Sequence, residues 1–205
     1  MKLYFSPGAC SLAPHIVLEE SGQPYELQRV NLAEGEQRTP GYLKIHPNGR
    51  VPALAVDGGA IITENTAILP YLGRKFGLWP KDDIGEARAL SIIGLFAAGV
   101  HQAYAHVRRP GRYATDAAAH PNIQDTGRAS YNAYLAQVDG MLAGREWFCD
   151  SYSVVDAYAL VFYSWAKRSA AEFPVDGLAN YTAFRDRMLA RPAVRKVLED
   201  EKVQA

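Results

Sequence analysis

The order of strand and helix patterns along the chain restricts its fold more than any other feature. The first part predicts, in order, strand 2–5, helix 11–21, strand 25–30, strand 51–56, strand 60–63 and helix 65–76. Asp57-Gly58-Gly59, between the last two strands, is a strong hairpin signal. A strand-helix-strand unit followed by a hairpin and a helix predicts a small mixed four-stranded sheet covered by helices.

The remainder of the chain is predicted to be helical. From Ile84 onward no β-rich segment occurs, and breaks at proline and glycine separate about five or six helices. We therefore predict an α/β domain at 1–77, a linker at 78–83 that contains Trp79-Pro80, and an all-α domain at 84–205.

Two local features of the helices can be predicted in more detail. Pro70 falls deep inside the helix at 65–76, where we expect a kink or the loss of one backbone hydrogen bond. Ser153 is followed by Asp156 ahead of an apolar run, which predicts a variant of the capping box at the start of a helix.

Composition indicates a globular protein without a highly charged partner. Of 205 residues, 48% are hydrophobic, and 22 basic residues balance 22 acidic ones. The basic residues form no long run, so we expect no binding to nucleic acid or to an anionic membrane. The start of the chain lacks the apolar core of a signal peptide, and no uninterrupted apolar stretch approaches a membrane span. We therefore expect a cytoplasmic protein.

The two cysteines argue against several kinds of site. Cys10 and Cys149 lie far apart, with neither a CxxC pair nor adjacent ligand spacing. This pattern argues against a disulfide scaffold, a zinc site and a dithiol redox motif, so no metal is expected. Cys149 follows Trp147 and Phe148 and is predicted to be a packed structural residue.

Cys10 lies where the first strand turns into the first helix. The unpaired N–H groups and the positive end of the dipole at a helix N-terminus favour a thiolate, and they lower a cysteine pKa by one or more units from about 8.5. This interpretation predicts an activated thiol. The alternative, which the residues alone leave open, is a small buried apolar side chain.

Two further motifs suggest recognition of an extended peptide. Pro52 begins a strand, and a cis Val51–Pro52 bond would expose the backbone N–H and C=O of Val51 to such a ligand; the sequence leaves the isomer open. Glu64 and Asn65 offer a carboxylate and an amide for the ammonium and carboxylate groups of an amino acid. Alternatively, Asn65 only caps the helix while Glu64 lies in solvent.

Together these motifs resemble the cytosolic glutathione transferases over nearly the whole chain, and the string Gly8-Ala-Cys-Ser-Leu-Ala-Pro-His15 looks like the bacterial beta class. The resemblance implies a thioredoxin-like N-terminal domain followed by an all-α domain. It also implies glutathione as co-substrate, a small electrophile as second substrate, and a homodimer with the active site near the interface.

The resemblance also implies roles for individual residues. Cys10 would lie beside the glutathione sulfur, with His101 facing that sulfur from the helical domain. The remaining assignments are the Ser11 hydroxyl as a further donor to the thiolate, Val51 and Pro52 as partners of the cysteinyl unit, Glu64 and Asn65 as the γ-glutamyl clamp, Arg50 near the glycyl carboxylate, and Tyr104 and Arg108 in the electrophile pocket.

The chain departs from the family pattern at three positions. Asn65 stands where serine or glycine is usual, Gln102 where lysine often follows the histidine, and Gly94 where asparagine is common. These departures would alter glutathione affinity or electrophile preference.

The function implied is conjugation of the glutathione thiolate to small, mostly hydrophobic electrophiles, in detoxification. One alternative is glutathione-dependent disulfide or peroxide reduction through a Cys10 mixed disulfide. Another is a non-catalytic interaction module, against which the retention of Cys10, Pro52, Glu64 and His101 argues.

Overall fold

The computed structural model describes residues 1–204. Its first part contains β1 (Lys2–Phe5), α1 (Leu12–Glu20), β2 (Glu26–Arg29), α2 (Pro40–Leu43), β3 (Ala53–Ala55), β4 (Ile61–Thr63) and α3 (Asn65–Phe76). These elements follow the predicted order, with the short α2 added in the polar loop. Pro70 lies inside α3, where its missing N–H removes one hydrogen bond of the helix.

The strands form one mixed sheet in the order β2-β1-β3-β4. β1 pairs parallel with β2 and antiparallel with β3, and β3 pairs antiparallel with β4. Leu3 is opposite Leu54, and both are completely buried under the helices. The predicted four-stranded mixed sheet is thus confirmed, although β3 is shorter than the predicted strand at 51–56.

The second part is helical. It contains α4 (Asp83–Leu95), a π-helical turn at Phe96–Val100, α5 (His101–Arg108), α6 (His120–Met141), α7 (Val154–Lys167), α8 (Ala179–Ala190) and α9 (Pro192–Glu201). The thioredoxin-like sheet followed by helices is the architecture that the sequence predicts. α7 lies at the centre, because its residues from Val154 to Ala166 are all buried, and it packs against α1, α3 and α8.

α7 begins with the predicted capping box. The Asp156 carboxylate accepts hydrogen bonds from the Ser153 N–H at 2.8 Å, the Ser153 hydroxyl at 3.0 Å and the Phe148 N–H at 3.1 Å. Burial raises the pKa of Asp156 to about 7, against the lowering effect of these hydrogen bonds. Nearby, Cys149 packs against the core as expected.

One continuous helical segment, Asp83–Arg108, is long and apolar enough by composition to cross a membrane, with a mean hydropathy of 1.2 in its most apolar window. This criterion tolerates polar residues, and Arg88 and His101 interrupt the apolar stretch of this segment. Core helices of soluble proteins pass the same test. Here Ile93, Phe96 and Val100 of the segment are buried in the core, and 33% of its most apolar window is buried.

Candidate active site

A cleft of about 620 Å³ lies between the sheet side of the molecule and the helices α5 and α7. Most residues singled out in the sequence line it: Cys10, Arg50, Val51, Pro52, Glu64, Asn65, His101, Tyr104 and Arg108. Residues more than 90 positions apart in the chain therefore meet at one site, with Cys10 at the start of α1 and His101 at the start of α5.

Cys10 precedes Ser11, the N-cap residue of α1, and its Sγ donates a hydrogen bond of 3.4 Å to the Val51 carbonyl. Burial raises the pKa of the Cys10 thiol to about 12, and the lowering effects of Arg109 and Arg50 do not offset it. This direction is opposite to the one expected from the helix terminus, while the side chain itself is partly exposed to the cleft. Desolvation of the sulfur outweighs the helix terminus, so that Cys10 is a neutral thiol at pH 7.

The Ser11 hydroxyl does not reach the cleft. The side chain is completely buried, its Oγ donates to the Ser6 carbonyl at 3.1 Å, and it accepts from the Ser6 N–H at 3.1 Å. The expected role of Ser11 as a donor to a thiolate is thus not compatible with its position. The hydroxyl instead fixes the turn between β1 and α1.

The Val51–Pro52 peptide bond is cis. The side chain of Val51 is almost buried, while its backbone borders the cleft. The Cys10 thiol and the Val51 carbonyl are hydrogen-bonded partners, so the first helix and the start of β3 meet at the sulfur.

Glu64 and Asn65 occupy the junction of β4 and α3. Glu64 is the N-cap residue with φ 68° and ψ 131°, a strained conformation for a residue with a side chain, and its carboxylate is half-exposed. Asn65 is buried, and its Nδ2 donates to the Cys10 carbonyl at 2.9 Å. Its Oδ1 is also buried and has no hydrogen-bond partner within residues 1–204. Asn65 therefore binds the Cys10 backbone instead of capping α3.

An aromatic wall forms the helical side of the cleft. Tyr104 stacks on Trp165 with ring centroids 4.6 Å apart, and His101 contacts Trp165 edge-on at 5.0 Å. Burial, together with the charges of Arg109, Arg50 and Arg112, lowers the pKa of His101 to about 4. The imidazole is therefore neutral at pH 7.

Arg108 is engaged within the protein. Its guanidinium lies 5.3 Å from the centre of the Tyr104 ring and forms an ion pair of 3.2 Å with Glu172. The charge of Arg108 is thus balanced, although the side chain lines the cleft as predicted.

The sequence interpretation missed several residues of the cleft. Arg109 and Arg112, just after the predicted Arg108, also line it, and the cluster Arg108-Arg109-Pro-Gly-Arg112 was a signal that could have identified them. Tyr158 lines the cleft from α7, and burial raises the pKa of its hydroxyl well above the usual value. Nothing in the apolar pattern of α7 distinguished Tyr158 from the core residues around it.

Gly8, before Cys10, is fixed by the distant helices α7 and α9. Its N–H donates to Glu201 Oε2 at 2.7 Å, and its carbonyl accepts from Trp165 Nε1 at 2.9 Å and from Arg168 Nη2 at 3.0 Å. Glu201 Oε1 also pairs with the buried His15 Nδ1 at 2.7 Å. Gly8 has φ 66°, and a Cβ at this position would overlap the Arg168 guanidinium.

Within residues 1–204, no group of three or more His, Cys, Asp or Glu side chains could hold a metal ion. The chemistry that this cleft offers comes from one thiol, one neutral imidazole, one carboxylate and several guanidinium groups.

Comparisons with known proteins agree with this arrangement. Residues 8–75 match the family model for the N-terminal domain of glutathione S-transferases. Glutathione S-transferase GST-4.5 of Xanthomonas campestris is 35% identical over 206 residues, which cover 98% of each chain. A glutathione transferase homologue from Sulfitobacter, solved with bound glutathione, superposes with a TM-score of 0.91 at 31% identity and covers 99% of this chain and 98% of its own.

A beta class glutathione S-transferase from Sphingomonas chungbukensis superposes with a TM-score of 0.85 at 31% identity, over 98% of both chains. The similarity spans the sheet, the helices and the cleft between them. The chain belongs to the glutathione S-transferase family, as its sequence motifs predicted.

Proposed function

We propose that the protein binds reduced glutathione in the cleft and conjugates its thiolate to small, mostly hydrophobic electrophiles. The observation that carries this proposal is the meeting of Cys10, Val51, Glu64, Asn65 and His101 at one site. The glutathione bound to the Sulfitobacter relative supports it. Residues 1–77 would hold glutathione, residues 78–83 would connect the two domains, and the helical domain from residue 84 would form the electrophile side.

The tripeptide would be held by groups of complementary charge. The backbone of Val51 would pair with the cysteinyl unit, and the Glu64 carboxylate would accept from the γ-glutamyl ammonium. Asn65 Oδ1, buried and without a partner in the described chain, would accept a second bond from that ammonium. Arg50, which lines the same cleft, would receive the glycyl carboxylate.

Cys10 would turn its single S–H away from the Val51 carbonyl, to which it donates in the unliganded chain, and donate it to the glutathione thiolate. Because its own pKa is about 12, Cys10 keeps its proton where the glutathione sulfur has lost one. The proton of glutathione leaves to water in the cleft. The sulfur lone pair then forms the new C–S bond, while the leaving group, chloride in an aryl chloride, departs with the electron pair of the broken bond.

Substitution of Cys10 tests this role. Cys10→Ala should raise the apparent pKa of kcat/KM for conjugation of chlorodinitrobenzene at saturating glutathione by roughly one to two units, because a hydrogen bond to a charged group contributes about 1.5–3 kcal/mol. Cys10→Ser should restore part of this shift, and Cys149→Ala serves as the matched control with an unchanged profile. An identical pH profile for wild type and Cys10→Ala would contradict the donor role.

The same variants discriminate the two alternatives. A reductase that forms a mixed disulfide needs Cys10 as a thiolate, and the raised pKa of Cys10 argues against it. The reductase would be favoured if the wild type reduces disulfides, Cys10→Ala does not, and neither protein conjugates glutathione to an electrophile. No retention on immobilised glutathione and no thiol-dependent activity would favour an interaction module.

The family resemblance supports three further proposals: a homodimer, a cytoplasmic location and a role in detoxification. Light scattering on the purified chain tests the first, and fractionation of the producing cells tests the second. Increased sensitivity of a deletion strain to electrophiles, reversed by the wild-type gene, tests the third.

A further inference from the structure

The cleft carries more positive charge than the protein itself balances. Five arginines line it, namely Arg50, Arg108, Arg109, Arg112 and Arg168, whereas Glu64 is the one carboxylate among the described residues that do so. Arg108 pairs with Glu172, and Arg168 donates to the carbonyls of Gly8 and Ser164. In the chain from residue 1 to 204, no ion pair engages Arg50, Arg109 or Arg112.

Arg109 and Arg50 are close enough to Arg112 for their charges to act on it. Burial and the charges of Arg109, Arg50 and Arg38 lower the pKa of Arg112. The charges of Arg109, Arg50 and Arg112 also act together on His101. Like charges that gather in a cleft without a counter-charge produce a field that attracts anions.

Glutathione accounts for only part of this charge. Under the proposed function, on which this inference rests, Arg50 takes the glycyl carboxylate and the γ-glutamyl end lies at Glu64 and Asn65. Arg109 and Arg112 belong to the other wall, at the end of α5 and in the turn after it. They are therefore left for the second substrate.

The segment that carries Arg112 is held in place before any ligand binds. Tyr113, the next residue, stacks on His106 with ring centroids 3.8 Å apart, and its hydroxyl donates to Gln102 Oε1 at 2.8 Å. Both partners lie on α5, so the turn is fixed against the helix. The backbone that carries Arg112 is thus fixed, while the guanidinium groups of Arg109 and Arg112 are exposed and accessible to a ligand.

The same wall offers a surface for an aromatic body. His101, Tyr104 and Arg108 lie three or four positions apart on α5 and share one face, and Tyr104 stacks on Trp165. This face leads from the Cys10 end of the cleft to Arg109 and Arg112.

We propose that the second substrate is an aromatic electrophile that carries a carboxylate, with its ring against Tyr104 and Trp165 and its carboxylate between Arg109 and Arg112. Guanidinium groups match the planar geometry of a carboxylate and bind it in a bidentate manner. The electrophilic carbon would then face the sulfur near Cys10.

A matched pair of substrates tests the proposal. A chlorodinitrobenzoate and the corresponding chlorodinitrobenzamide differ in charge but hardly in size, and each kcat/KM is divided by the uncatalysed rate constant with glutathione. In the wild type, the benzoate-to-benzamide ratio should be about ten or more, since one charged contact contributes about 1.4 kcal/mol or more. Because both substrates react with the same glutathione thiolate, any effect of a variant on that thiolate cancels in the ratio.

The double variant Arg109→Gln/Arg112→Gln should bring this ratio to about one, and Arg88→Gln, on the exposed side of α4, should leave it unchanged. A ratio near one in the wild type, or a ratio that the double variant does not change, would overturn the carboxylate site. If the benzamide is still conjugated in that case, the proposed function stands. Failure to turn over either substrate would overturn the proposed function and this inference with it.

Discussion

The Glu201 carboxylate accepts a hydrogen bond of 2.7 Å from the backbone N–H of Gly8, across 193 positions of the chain. Its other oxygen pairs with the buried His15 of α1. One side chain at the end of α9 therefore fixes both the turn before Cys10 and the helix after it. Because the pair is completely buried, neither polar partner can exchange this contact for water.

Removal of the Glu201 carboxylate should destabilise the protein. Glu201→Ala leaves the Gly8 N–H and His15 Nδ1 buried without a partner, which should reduce the free energy of unfolding by about 3–5 kcal/mol. Denaturant unfolding measures this loss. Glu199→Ala, at an exposed position of the same helix, should change stability by less than about 0.5 kcal/mol. Equal effects of the two substitutions would contradict the argument.

Gly8 should tolerate a side chain less well than another glycine with positive φ. Gly8 and Gly58 have φ of 66° and 87°, but a Cβ at Gly58 would meet open space whereas one at Gly8 would overlap Arg168. Gly58→Ala should cost about 1 kcal/mol of unfolding free energy for the backbone alone. Gly8→Ala should cost about 1 kcal/mol more, because it also displaces the Arg168 guanidinium from its hydrogen bond to the Gly8 carbonyl. Calorimetry on both variants gives the comparison, and a smaller loss for Gly8→Ala would contradict it.

Protonation of His101 should contribute to acid destabilisation. Its folded-state pKa of about 4 lies below the unfolded value of 6.5, so the folded protein resists protonation, and stability is lost as the pH falls from about 6.5 towards 4. Between pH 7 and pH 5 this term amounts to at most about 2 kcal/mol. His101→Asn should reduce the difference in unfolding free energy between these two pH values by up to that amount.

Protonation of Asp156 changes the stability with the opposite sign to protonation of His101, because the folded-state pKa of Asp156 is raised to about 7. Its contribution is the same in the wild type and in His101→Asn, so the difference between these proteins isolates His101. If His101→Asn loses as much stability between pH 7 and pH 5 as the wild type, His101 is not the source of the acid destabilisation.

The capping box of α7 should contribute strongly to stability. Asp156→Ala leaves two buried backbone N–H groups, those of Phe148 and Ser153, without an acceptor, at a cost of about 2–5 kcal/mol. Ser153→Ala should cost only about 1 kcal/mol, the usual value for loss of an N-cap side chain. Thermal unfolding of the two variants tests this order, and a larger loss for Ser153→Ala would reverse it.

The architecture could be predicted because each element carries its own local pattern. The strand-helix-strand unit, the Asp57-Gly58-Gly59 turn and the Ser153–Asp156 cap all lie within short stretches of sequence. They reappear in the structure at nearly the predicted positions. The prediction that the site residues lie in one cleft came from the family resemblance. The hydrophobic periodicity of the helices does not by itself place His101 near Cys10.

The properties of the site depend on distant contacts and were not predictable in the same way. The pKa of Cys10 is raised by burial among residues of other elements, which a local helix-terminus argument omits. Ser11 turns inwards because Ser6 offers both a donor and an acceptor. The Gly8–Glu201 contact joins two segments that no sequence pattern relates.

The clamp on Gly8 has a consequence for the construction of chimeric enzymes. Trp165, Arg168 and Glu201 hold the peptide groups of the turn that presents Cys10, so the geometry of the sulfur site is partly encoded in the final third of the chain. A hybrid that joins residues 1–77 of this protein to the helices of a relative would keep these supports only where the relative carries equivalents of Trp165, Arg168 and Glu201. Transplanting the site therefore requires the matching faces of α7 and α9 as well.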